Sequence, residues 1–144
     1  MQETANSTDA PARLSARLNS SCFVCGMENS RGLRLHFEQN NDGAMSAEWT
    51  PDPAFEGFEG IVHGGIVSTV LDESMAKAVA ATGVEALTAE LRVRFRRHVT
   101  AGDPMRVHGW VKDRNKRIIQ AEATLVDRQG TELAHAWSSF LALK

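Results

Sequence analysis

The chain has 144 residues, with 16 Lys+Arg against 18 Asp+Glu, so its formal net charge is -2. That length suits one domain with a single core, and the slightly acidic balance excludes a chain-wide basic field for nucleic acid. No apolar run approaches the ~20 residues that span a bilayer, no basic-then-apolar leader opens the chain, and two cysteines make no disulfide framework. A reduced, cytoplasmic protein is the expectation.

Residues 1–20 are rich in Ser, Thr, Asn and Gln and read as a tail, disordered or partly helical from Pro11 to Leu18. The domain proper spans 21–144. It begins with Cys22-x-x-Cys25, which invites a zinc or redox reading. Structural zinc wants four ligands, and there is no second Cys pair; His36 is the nearest other ligand type. No metal or redox cofactor is expected on this spacing.

From Leu33 the pattern turns strand-like, with Leu33, Leu35 and Phe37 alternating against polar neighbours. Asn41-Asp42-Gly43 supplies a hairpin turn, and Ala44–Thr50 alternates again. After a loop with two Pro and two Gly comes one long helix, from Gly64 or Gly65 to about Thr82, stopped by Gly83. Four further strands are predicted at Ala86–His98, Asp103–Asp113, Arg117–Asp127 and Thr131–Leu143, separated by turn residues. The order implies an α+β fold with one helix on a single antiparallel sheet of five or six strands. The helix is apolar nearly all round, so it needs a sheet that wraps it or a second subunit.

The most informative segment is His63-Gly64-Gly65 followed by Asp72-Glu73. A glycine pair at a helix start allows close approach to the backbone, and the first-turn N–H groups have no intrahelical partner. They form a ready site for a polarised carbonyl or an oxyanion. Farther along, Glu73 has Lys77 at i+4, an ordinary surface pair. Asp72 has only small and apolar helical neighbours, which predicts a raised pKa suited to acid–base work. Asp72 is therefore the first candidate acid and Glu73 the second. Gly64 and Asp72 stand about 12 Å apart along one helix, too far to act on the same atoms. If both act, the acid meets the Gly64 N–H of an antiparallel second copy, and a homodimer follows.

His63-Gly64-Gly65 with Asp72 resembles the signature of hotdog-fold acyl-CoA thioesterases of the phenylacetate-degradation (PaaI-like) type. Thr88 to Phe95 resembles the strand after that family's central helix. Cys22 to Gly26, with Asn29 and Gly32-Leu33, resembles the N-terminal opening of one branch. The resemblance implies a hotdog fold with six antiparallel strands around the helix, dimers with a joined sheet, and often dimers of dimers. It implies that Gly64 N–H polarises a thioester carbonyl and that Asp72 serves as general base or nucleophile. His63 would shape the site, with Gly65 beside it, and Thr88 would position the water or the acid. Where many members carry an Asn ahead of the glycines, this chain has Phe55-Glu56-Gly57-Phe58-Glu59.

Coenzyme A would arrive as part of the substrate and needs cations for its phosphates. Arg94, Arg96 and Arg97 on one strand, and Arg114, Lys116 and Arg117 at a turn, are the candidates. Phe55 or Phe58 would line the acyl tunnel. A hydratase using His63 as base, and a non-catalytic acyl-CoA binding protein, remain the alternatives.

Overall fold

The computed structural model describes residues 21–144; the predicted tail and its candidate helix lie outside the described residues. In chain order come β1 (Glu38–Gln39), β2 (Met45–Trp49), a 3-10 turn (Pro53–Phe55), helix α1 (Gly64–Ala81), β3 (Ala86–Phe95), β4 (Met105–Asn115), β5 (Ile118–Asp127) and β6 (Glu132–Ala142). The strands form one antiparallel sheet in the order β1-β2-β4-β5-β6-β3. Among the described residues, no helix is long and apolar enough to cross a membrane.

Helix α1 buries Val67, Val70, Leu71, Ser74, Met75, Ala78 and Val79. Those positions step by three and four, the repeat that places side chains on one helical face. The face meets a sheet surface of small and medium residues, including Val107, Ala121, Ala123, Leu125, Ala134, Ala136 and Phe140. Gly109 on β4 lies beneath Ser74, and a Cβ there would stand 2.6 Å from the Ser74 backbone. The close approach of helix to sheet therefore depends on a residue without a side chain.

The sheet's other face carries a polar and aromatic layer. His135 lies 4.4 Å from the Trp137 ring, Arg92 sits 4.7 Å over the same indole, and Glu122 binds both His135 and Lys112.

The two sheet edges differ. At one end β1 has only two residues. The predicted Leu33–Glu38 strand is cut short because Arg34 takes a φ of 55°, and Leu33 and Leu35 donate their N–H groups to Phe23 and Val24. At the other end β3 runs ten residues, pairs only with β6 among the described residues, and is exposed on nearly its whole length. Leu87, Leu91 and Phe95 are 53%, 37% and 51% exposed. A long edge strand with open apolar side chains is a surface prepared for pairing.

Gly109→Ala is expected to destabilise the fold by about 1–3 kcal/mol through overpacking against the Ser74 backbone. Denaturant titration checks this; an unchanged midpoint would mean the helix does not depend on that contact.

Candidate active site

The chain enters α1 through His63, whose backbone is extended and whose Nδ1 accepts from the Gly65 N–H at 2.9 Å. The ring thus caps the helix as an Asn or Ser side chain would. This also selects the tautomer of the neutral ring. An Nδ1 that accepts carries no proton, so Nε2 is the donor. His63 is held from behind by its own N–H donating to the Phe55 carbonyl.

The helix start borders a cavity of about 620 Å³ lined by Phe58, His63, Gly64, Phe95, Arg96 and Arg97, among others. Phe95 lies against Gly64, where a Cβ would stand 3.4 Å from its ring. The Gly64 N–H is one of the first-turn donors left without an intrahelical acceptor, and it belongs to this wall.

Two turns on, Asp72 is half-buried, and its Oδ1 accepts from Thr88 Oγ1 at 2.8 Å. Burial raises its pKa, the Thr88 hydrogen bond opposes that, and the Glu73 charge adds to the rise; the net shift is upward. The contact with Thr88 depends on a bulge. Thr88 faces Phe140 and Glu90 faces Ser139, so the alternation resets across Ala89. Without that extra residue Thr88 would share a face with Arg92 and Arg94, away from the helix. Ser138 Oγ donates to the Glu90 carbonyl at 2.9 Å and pins the irregularity.

The remaining predicted residues divide. Glu73 turns from Asp72 toward the N-terminal loop, where Cys22 Sγ donates to Oε2 at 3.5 Å. It is not paired with Asp72 in one acid site, because neighbouring residues on a helix stand about 100° apart. Phe58, 83% exposed, lines the cavity; Phe55 does not, and packs against the core instead. Arg96 and Arg97 reach the cavity, although Arg96 is also bound to Glu132 at 2.5 Å. Arg94 pairs in register with His135 on the outer face and does not line the cavity. Arg114 near the end of β4 and Lys116 in the β4–β5 turn lie beside the start of β5, which pairs with Leu141 near the start of β3, at the end of the sheet opposite the cavity. Phe95 is the residue that sequence reading missed. It ends the Leu91-Val93-Phe95 alternation, which assigns it a strand face but no site; only the docking of α1 reveals it beside Gly64.

The sequence profile of the thioesterase superfamily matches residues 59–134, more than half of the chain. The chain belongs to the thioesterase superfamily. That membership makes it a thioester hydrolase by class. Similar solved structures include a thioesterase superfamily protein designated RHA08564, at 20% identity and a TM-score of 0.82, covering 98% of this chain and 85% of that one. The PaaI protein of the E. coli phenylacetic acid degradation operon aligns at 17% identity and a TM-score of 0.73, covering 95% and 92%. A Streptococcus mutans UA159 protein bound to acetyl CoA aligns at 16% identity and a TM-score of 0.71, covering 76% and 88%. At these identities the likeness speaks for the fold, and one helix on a six-stranded antiparallel sheet is the hotdog arrangement of this thioesterase superfamily member. No curated protein matches the chain by sequence.

His63→Ala should cost about 0.5–2 kcal/mol as the loss of a helix cap, while His63→Asn should retain most of it. Urea denaturation of both variants checks this. Equal stability of the alanine variant and the wild type would show that the ring does not hold the helix start.

Proposed function

We propose that the protein hydrolyses an acyl-CoA thioester to free acid and coenzyme A, as a homodimer with its sites at the subunit interface. One observation carries the reading. A single rigid helix bears two halves of a hydrolytic site, a shielded acid at Asp72 and an N–H terminus facing a cavity at Gly64. They stand about 12 Å apart, beyond the reach of one bound carbonyl. Antiparallel pairing of two open β3 edges would bring each acid to the other copy's helix start. If Thr88 of one copy lies level with Phe95 of the other, the twofold axis passes between Leu91 and Arg92.

In that arrangement a water molecule gives a proton to Asp72 while its oxygen attacks the thioester carbon. The developing oxyanion accepts from Gly64 N–H, a donor already in place and strengthened by the helix dipole. The carbon–sulfur bond then breaks, and the departing thiolate takes the proton from Asp72. Direct attack by Asp72 would use the same residues, with water hydrolysing the resulting anhydride. Thr88 holds the carboxylate in its working orientation in either case.

The acyl group fits the wall of Phe58 and Phe95, and Arg97 suits a phosphate of the coenzyme. The β4–β5 turn lies at the same sheet end as the start of β3. Antiparallel pairing would therefore carry Arg114 and Lys116 toward the other copy's Arg97. The acetyl CoA bound to the Streptococcus mutans relative supports a ligand of this class. A hydratase would need His63 as its base, but the Nδ1 lone pair is committed to Gly65 N–H. No metal or redox cofactor enters the proposed reaction.

Free-thiol release from short, long and aromatic acyl-CoAs tests the activity. Asp72→Asn should lower turnover by about 10²-fold or more, the usual contribution of a positioned acid or base, while the fold persists. Saturable binding without release from any substrate would favour a binding protein instead. Leu91→Glu sets like charges at the proposed axis and should yield inactive monomers by sedimentation, although it touches neither Asp72 nor Gly64. A fully active monomer would rule out the shared site.

A further inference from the structure

The N-terminal loop holds a second cluster that the hydrolytic reading leaves unused. Cys22 Sγ, Cys25 Sγ and a carboxylate oxygen of Glu73 all lie within 4.8 Å of one another, and all three residues are half-buried. They border a cleft of about 150 Å³ that Lys77 and Glu85 also line. We propose that Cys22, Cys25 and Glu73 bind one zinc-type divalent ion, with the fourth coordination position open to water.

The geometry of the loop is that of a metal-binding turn. Val24 N–H donates to Cys22 Sγ at 3.3 Å, and Gly26 N–H donates to the Cys22 carbonyl at 2.9 Å. An N–H directed at sulfur stabilises the thiolate that a metal requires. Gly26 closes the turn because any Cβ there would stand 2.4 Å from the Cys22 nitrogen. Tetrahedral ligands at about 2.3 Å from zinc are about 3.7 Å from one another. The Cys22–Glu73 separation of 3.5 Å already meets that, and modest side-chain rotation would bring Cys25 in.

The charges balance. Two thiolates and one carboxylate against a dication leave one negative charge, and Lys77 stands beside Cys25 to offset it. Binding would release the thiol protons as metal–sulfur bonds form. Soft sulfur donors favour zinc over magnesium or calcium. The ion would tie the loop at 22–26 to the middle of α1, a tertiary link that Cys-x-x-Cys spacing alone does not signal.

Cobalt(II) titration of the full reduced chain, first stripped with a chelator, tests the site. We expect a near-ultraviolet sulfur-to-cobalt charge-transfer band that saturates at one equivalent and is displaced by zinc. Cys22→Ser with Cys25→Ser should abolish the band, and Glu73→Gln should weaken binding about tenfold or more while circular dichroism is retained. Absence of the band in the reduced wild type would overturn the proposal. So would a band surviving in the double cysteine variant, or binding unchanged by Glu73→Gln.

Discussion

The structure depends on how closely α1 lies on its sheet. Gly109 under Ser74, with alanines at 121, 123, 134 and 136, lets the helix backbone approach the strands. Dispersion and apolar burial both grow as that gap closes, and the stripe from Val67 to Val79 leaves the solvent entirely. The same contact sets the height of Asp72 above β3 and of Gly64 beside Phe95. Packing and chemistry therefore share one constraint.

That constraint also divides the helix into functional sectors. The buried stripe is structural. One flank carries Asp72 toward Thr88, and another carries Glu73 toward Cys22 and Cys25. Two adjacent carboxylates thus occupy different surroundings because a helix rotates about 100° per residue. The N-terminal end is a third sector, where the His63 cap satisfies Gly65 N–H and leaves Gly64 N–H at the cavity wall.

The asymmetry of the sheet edges bears on assembly. A two-residue β1 offers little to pair with, whereas β3 presents ten residues with apolar side chains exposed. In isolation such an edge is a hazard; pairing with a second copy would satisfy its backbone and cover Leu91 and Phe95. The outer face of the sheet, with its ladder of His135, Trp137 and Arg92, belongs to a separate surface.

Much was legible in the sequence because it is local. Helix limits followed from the glycines and the apolar spacing, and strands β3 to β6 from alternation and turn residues, to within a few positions. The family signature followed from residue types within one helix and its entry, and the raised pKa of Asp72 from the side chains one turn to either side of it. Tertiary structure alone decided the rest. The bulge at Ala89 turns Thr88 onto the helix face, which alternation with Arg92 and Arg94 contradicts. Helix docking brings Phe95 to Gly64, removes Phe55 from the cavity, and sets Glu73 against two cysteines about fifty residues away. Local periodicity reports which face a residue occupies; which faces meet depends on register and packing between segments distant in the chain.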